Sequence, residues 1–463
     1  MEDLTINRIK VSGLLLVWMF LLASCTQLAT PTESFVLEEF PSVEVNPTQT
    51  EIIINQDYLE IFEIVWNTVN EQFFDPTFNG VDWDAIYAEY QPRIAAAQDD
   101  DMAYFLLNEM CFELGVSHIG VIPAVSPEQL EPVLSQAGSL GLDIRIIDGL
   151  VVVTDVVPGS PADEAGLQTG YLIIEIDGKL TKNAQELVVL WLPPYNERKQ
   201  RGQVTGAIQS QFYGDLGDPV SITYLDAVDQ SHEVKIYMGE REERPFYDED
   251  LPVLYAGYEA KRLENRIGYI RFNGFLPQIL DGVLAAVEEM QDAPGMIIDI
   301  RGNPGGVYPV RKAIASQFFP DKSLLWRFIT RPGLDLPGFE TEAYTDPPAN
   351  PYLGPVVVLV DVLSGSSSEE FSGAMQANQR AIIIGERTSG SDLVANITVL
   401  PNGAIFLYPL AQTQTADGTV IEGRGVIPDI EVSLDRQKLL GGVDSQLEAA
   451  IEYIESQMEQ GSR

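Results

Sequence analysis

A run of five aliphatic residues, Val356 to Val360, ends in the polar turn Leu363-Ser364-Gly365-Ser366-Ser367-Ser368, and Glu369-Glu370 open an amphipathic stretch behind it. A serine at a strand-to-helix turn presents its hydroxyl at the end of a sheet, where a neighbouring base can turn it into a nucleophile for acyl transfer. Taken alone, the same serines read first as helix N-caps. Three other stretches hold what a nucleophilic serine needs. Asp299-Ile300-Arg301-Gly302-Asn303-Pro304-Gly305-Gly306 also closes an aliphatic strand. Its paired glycines, Gly305 and Gly306, let the backbone turn N–H groups toward an oxyanion, and Asp299 with Arg301 can brace the turn. His118, in Glu113-Leu114-Gly115-Val116-Ser117-His118, is one of two histidines in the chain. The other, His232, lies between Ser231 and Glu233 in a strand-like run and reads as a surface residue, leaving His118 as the candidate imidazole base. Glu422, in Val420-Ile421-Glu422-Gly423-Arg424-Gly425, is either a surface carboxylate or the acid that orients such an imidazole.

The elements around these residues divide the chain. From 57 to about 114 apolar residues recur at helical spacing (Leu59, Phe62, Val65 and Trp66, then Phe105, Leu106 and Met110), predicting three or four helices. From 132 to about 239 short β-rich runs, LVVVTDVV, YLIIEIDG, SITYLD and HEVKIYM, alternate with turns. From 255 onward strands and helices alternate. RIGYIRF, GMIIDIR, PVVVLVD and AIIIGE read as strands of a largely parallel sheet covered by helices. Active sites of such sheets gather at the C-terminal ends of the strands, where Asp299–Gly306 and Ser366 fall.

With 463 residues and 45% apolar composition the chain is long enough for two or three cored domains. Acidic residues outnumber basic ones 69 to 28, for a formal charge of -41. A surface so negative repels phosphate backbones, so nucleic acid is not an expected partner. Only two cysteines occur, Cys25 and Cys111; no intrachain disulfide is expected, Cys111 reads as a buried core thiol, and no Cys/His set has metal-ligand spacing. No cofactor or metal is called for. Arg8 and Lys10 precede the short apolar run 11–22, which has the length of a signal-peptide core. The run ends Leu22-Ala23-Ser24-Cys25, which resembles a bacterial lipobox. The resemblance implies a lipid on Cys25 and residence in the bacterial cell envelope, outside the cytoplasm and anchored to a membrane. The Thr-, Pro- and Glu-rich segment that follows reads as a flexible tether.

The middle segment resembles a PDZ domain, whose carboxylate-binding loop would be Ser139-Leu140-Gly141-Leu142. That family holds a peptide's C-terminus on loop N–H groups and adds the peptide as a strand at the sheet edge. As a set, RIGYIRFNGF, DIRGNPGG, the serine-rich strand end and GERTSG resemble the C-terminal processing (tail-specific) serine peptidases. The resemblance implies a multidomain α/β fold with a core of the ClpP/crotonase-like type. The expected division is a signal peptide at 1–25, a tether at 26–54, a helical domain at 55–131, the PDZ-like domain at 132–240 and the peptidase core at 254–463. One branch of the family uses a Ser–Lys dyad, but Ser391 stands where its Lys would be and Ala395 where a supporting Gln is usual. The other, tricorn-like branch uses Ser, His and Glu with a second Ser before the His. Similarity to that branch implies Ser366 as nucleophile, His118 as base, Glu422 as acid and Ser117 as intermediary. Its oxyanion hole would use N–H groups of Gly305, Gly306 and Ser367. The residue after the nucleophile, commonly Asp in the tricorn branch, is Ser367 here. The implied function is a lipid-anchored serine endopeptidase acting on proteins or peptides; the alternative is an inactive binding lipoprotein on the same scaffold.

Overall fold

The structure is a computed structural model and describes residues 55–124, 137–182, 197–248, 251–334, 336 and 338–461. The expected signal peptide, the Cys25 lipidation site and the tether lie outside the described residues.

Three helices come first: α1 (Gln56–Gln72), α2 (Trp83–Ala95) and α3 (Asp100–Phe112). Each starts on a side-chain cap, Asn55, Asp82 or Asp99, which accepts from otherwise orphaned N–H groups of the first turn. The short strand β1 (Gly120–Ile122) follows. A PDZ-like sheet then forms from β2 (Leu142–Ile147), β3 (Leu150–Val156), β4 (Leu172–Ile176), helix α4 (Glu197–Gln209), β5 (Pro219–Leu225) and β6 (Ser231–Tyr237). The strands are antiparallel in chain order, so β2 is an edge.

The C-terminal part runs β7 (Tyr258–Arg262), β8 (Gly268–Phe272), α5 (Pro277–Glu289), β9 (Met296–Asp299) and α6 (Tyr308–Ser316). It continues with β10 (Leu324–Thr330), β11 (Glu342–Tyr344), β12 (Val356–Val360), α7 (Ser367–Ala377) and β13 (Ile382–Gly385). It closes with β14 (Leu393–Val399), β15 (Ile405–Thr415), β16 (Ile430–Glu431) and α8 (Ser445–Gly461). Strands β7-β8-β9-β12-β13-β16 form one sheet, parallel except for the edge strand β7. Every residue of β9 and β12 is buried, because helices cover both faces, and each fully buried aliphatic side chain contributes about 1.5–3 kcal/mol.

The sequence predicts one largely parallel sheet; the structure adds a second, antiparallel one. Its order is β1-β15-β10-β11, with β14 also paired to β15. β1 comes from the helical region and pairs Gly120 with Leu407 and Ile122 with Ile405. The helical region has no separate core either. Phe62, Val65, Trp83, Leu107 and Cys111 share one apolar cluster with Leu393, Phe406, Tyr408 and Leu410 of the catalytic half. Burial pushes the Cys111 thiol well above its ordinary pKa, as suits a core residue.

Candidate active site

Ser366 stands between β12 and α7 with φ 49° and ψ -118°. A non-glycine residue at positive φ is strained and persists only where its surroundings fix it. Here the Ser366 N–H donates to Ser391 O at 2.9 Å, and the Asp299–Gly306 loop closes over the other side. A Cβ on Gly305 would lie 2.9 Å from Ser366 Cβ and 3.0 Å from Ser367 N, so only glycine permits this approach. Asp299 and Arg301 pair as expected (Arg301 Nη2 to Asp299 Oδ2, 2.5 Å). Burial alone would raise the Asp299 carboxyl; the Arg301 and Arg271 guanidiniums hold it at about 2.

His118 also has positive φ, 56°, and is buried. It lies two residues before β1, so the β1–β15 ladder carries an imidazole from the helical region into the catalytic half. Ser117 Oγ lies 2.7 Å from His118 Nδ1 and donates to Glu422 Oε2 at 2.8 Å. Glu422 also accepts from Ser117 N at 2.7 Å and from Asp392 N at 2.7 Å. With all three partners donating, Glu422 acts as a carboxylate, and the single Ser117 hydroxyl proton points to it. Ser117 Oγ must then accept from His118 Nδ1–H. This fixes the tautomer and leaves the lone pair on Nε2, the form a general base needs. Burial pushes His118 down to about 4; Glu422 opposes this and Lys199 adds to it. The His118 ring makes no hydrogen bond to Ser366 in this structure. One peptide unit links the two halves: the Ser391 carbonyl holds Ser366 N, and the Asp392 N–H of the same planar bond holds Glu422.

Of the three N–H groups expected in the oxyanion hole, that of Gly305 is already spent on Asn303 Oδ1 at 2.9 Å. Gly305 supplies room rather than a donor. The N–H groups of Gly306 and Ser367 have no acceptor among the described residues; Ser367 follows Ser366 in the chain, and Gly306 follows Gly305, which packs against Ser366. Ser367 Oγ donates to Gly306 O at 2.5 Å and receives Arg311 Nη1 at 2.9 Å, tying the two loops together. At the PDZ loop, Leu140 N donates to Phe212 O at 3.0 Å and Gly141 N to Ser139 Oγ at 2.9 Å. Two of the N–H groups expected to hold a carboxylate are therefore engaged in this conformation. At the β2 edge, Gln209 Oε1 accepts from Ile144 N at 2.9 Å and Gln209 Nε2 donates to Leu142 O at 2.8 Å, where an added strand would pair.

Sequence reasoning misses several residues of the site. Glu369 is buried and accepts from Thr388 Oγ1 (2.5 Å), Gly390 N (2.6 Å), Ser391 N (2.8 Å) and Ser366 N (3.3 Å). Burial lifts its carboxyl to about 7 against those hydrogen bonds, and Glu422 adds to the rise. The capping-box spacing Ser366-x-x-Glu369 is the signal that could have found it. Asp361 accepts from Gly302 N (2.9 Å), Leu363 N (3.0 Å) and Ser364 N (3.1 Å), fastening the Asp299–Gly306 loop to the serine-rich turn before α7. Its counterion is Arg145 of β2, with Nε at 2.6 Å, so the PDZ-like domain supports the site directly. Lys199 of α4 is buried, within electrostatic range of Glu422, Glu369 and His118. No sequence signal near the other motifs announces it. At the Lys position of the Ser–Lys branch, Ser391 Oγ instead accepts from Ser389 Oγ at 3.0 Å.

Known protein families match three parts of the chain. The profile of Peptidase family S41 matches residues 266–432, that of the Tricorn protease C1 domain 54–112, and that of a PDZ domain 152–190. The chain belongs to peptidase family S41. This S41 chain is 28% identical to the carboxyl-terminal-processing protease of Picosynechococcus sp., over 84% of its own length and 87% of that protein's. It is 28% identical to the chloroplastic carboxyl-terminal-processing peptidase 3 of Arabidopsis thaliana, over 84% and 71%. It is 24% identical to the putative tricorn protease homolog 2 of Streptomyces coelicolor, over 81% of this chain and 30% of that one. The same fold occurs in the photosystem II D1 C-terminal processing protease, with TM-score 0.53, 21% identity and coverage of 81% and 93%. Mature CPAF also has it, with TM-score 0.54, 14% identity and coverage of 86% and 96%. S41 members are serine proteases, so the molecule is a peptidase acting on proteins or peptides.

Proposed function

We propose that this S41 peptidase is an endopeptidase that works through Ser366, His118 and Glu422 rather than through a Ser–Lys dyad. The observation that carries the reading is the hydrogen-bonded chain from Glu422 through Ser117 to His118 Nδ1, which leaves Nε2 unprotonated. In the reaction His118 Nε2 takes the proton of Ser366 Oγ as that oxygen attacks the scissile carbonyl carbon. The N–H groups of Gly306 and Ser367 stabilise the oxyanion, helped by the N-terminal end of α7. His118 then protonates the departing amine, leaving an acyl-serine. A water molecule then gives one proton to His118 as its oxygen attacks the ester carbon, and His118 returns that proton to Ser366 Oγ as the acyl–oxygen bond breaks, releasing the acid product and restoring both residues. Ser117 relays the Glu422 charge to the imidazolium formed in both steps.

The lipobox-like Leu22-Ala23-Ser24-Cys25 supports a lipid anchor at the outer side of a bacterial membrane. The β2 edge of the PDZ-like sheet, where Gln209 occupies the Ile144 N and Leu142 O positions, supports selection of substrates by their C-termini once Gln209 gives way. A panel of unstructured peptides tests the activity. Ser366→Ala should abolish cleavage while retaining peptide binding; cleavage by Ser366→Ala at the wild-type rate would refute the assignment.

A further inference from the structure

The site carries a cation that its proposed chemistry does not use. Helix α4 belongs to the PDZ-like domain but lies across the loops of the catalytic half. Arg198 Nη2 reaches Gly423 O and Arg424 O at 3.4 Å each, and Arg201 pairs with Glu386 at 3.2 Å. Gly202 packs so closely that a Cβ there would lie 3.1 Å from Val362 O. These contacts seat the helix over the segments that hold Ser366, Ser391 and Glu422. Lys199 sits on this seated turn and is only 7% exposed.

A buried ammonium is costly unless charges of opposite sign surround it. The carboxylates facing Lys199 are Glu422 and Glu369, and the nearest like charge is Arg198. Beyond them Asp392 faces Glu370, Glu369 and Glu422, and Arg311 is the cation paired with Glu370. Without Lys199 the buried Glu369 and the half-buried Glu422 would act on each other with only the half-buried Arg198 as counter-charge. The groups acting on His118 are Glu422, which favours the imidazolium, and Lys199, which disfavours it.

We infer that Lys199 is a positioning residue of the reaction: its ammonium offsets the Glu369 and Glu422 carboxylates and, alongside burial, opposes a resting proton on His118, the base that accepts the Ser366 proton. Lys199 touches neither the substrate nor the reacting atoms in this scheme. The inference rests on the Ser366–His118–Glu422 reading and adds a residue that, with burial, biases the charge state of its base.

Because the chain has only two histidines, the effect can be read without turnover. The full-length protein with Ser366→Ala, carrying histidine labelled with carbon-13 at Cε1, gives two resonances to titrate by NMR, and His232 serves as internal control. Lys199→Met should raise the His118 midpoint by about one pH unit, the size of effect one charge has at short range in a protein interior, and leave His232 in place. Lys199→Arg should keep the His118 midpoint near that of the parent. An unchanged midpoint in Lys199→Met overturns the inference, as does an equal shift in Lys199→Arg, which would mean that shape rather than charge matters. If Lys199→Met fails to fold, Lys199→Gln gives the same test. The triad reading fails separately: a His118→Asn enzyme, with Ser366 intact, that cleaves peptides at the wild-type rate would remove His118 as base whatever Lys199 does.

Discussion

Ser117→Ala isolates the link between acid and base. The substitution removes one hydroxyl, while the second contact of Glu422, to Ser117 N at 2.7 Å, survives with the backbone. Glu422 therefore stays in place and only the bridge to His118 Nδ1 is lost. Each buried polar group left without its partner costs about 1–3 kcal/mol, more for charged groups. The loss matters most when His118 carries the proton, because the imidazolium then has an unpaired Nδ1–H and no relay to the carboxylate. A cost of about 2–4 kcal/mol in the transition state corresponds to roughly 30- to 1000-fold in kcat. KM should change little, since Ser117 does not face the substrate in this scheme. Steady-state kinetics on a fluorogenic peptide measures it, with thermal melting to confirm an intact fold. The acid limb of kcat/KM in the parent enzyme should fall well below the pH at which free imidazole titrates, because burial disfavours the protonated ring. A Ser117→Ala enzyme with kcat within about threefold of wild type, well below the expected loss, would refute the relay.

Three further outcomes follow from the geometry. Gly306→Ala places a Cβ 2.2 Å from Phe275 O, so the loop must move and activity should fall by about 100-fold or more while the fold persists by circular dichroism. Arg145→Ala strands Asp361 in the interior, which should cost about 3–5 kcal/mol of stability by denaturant titration and lower kcat as well, since Asp361 holds both active-site loops. Gln209→Ala, in a Ser366→Ala background, frees Ile144 N and Leu142 O at the β2 edge. C-terminal peptides should then bind roughly tenfold tighter by fluorescence polarisation, the worth of one or two hydrogen bonds; unchanged affinity would mean that peptides do not pair with this edge.

The parts of this molecule legible in the sequence are those written in local pattern. The aliphatic runs of β9 and β12, with polar turns directly behind them, announce buried parallel strands and the loops at their ends. Residue type narrows the chemistry further, because His118 is one of only two imidazoles in the chain. What the sequence hides is made by pairing over long separations. Nothing near Gly120 says that β1 will join β15, yet that ladder is what seats His118. Lys199 and Arg145 lie in a domain that reads as a separate unit, and only its docking turns their charges toward Glu422 and Asp361. Gly305 shows a finer limit: two adjacent glycines reveal a loop that can expose N–H groups, but not that Asn303 takes one of them.

The most direct measurement of the Ser366 assignment is covalent labelling of the purified protein with a fluorophosphonate, mapped to the residue by tandem mass spectrometry. The label should appear on Ser366, vanish in Ser366→Ala, and form at least 100-fold more slowly in His118→Ala, in keeping with the usual contribution of a positioned base. Absence of labelling, a label on Ser364, Ser367 or Ser391, or an undiminished rate in His118→Ala would contradict it.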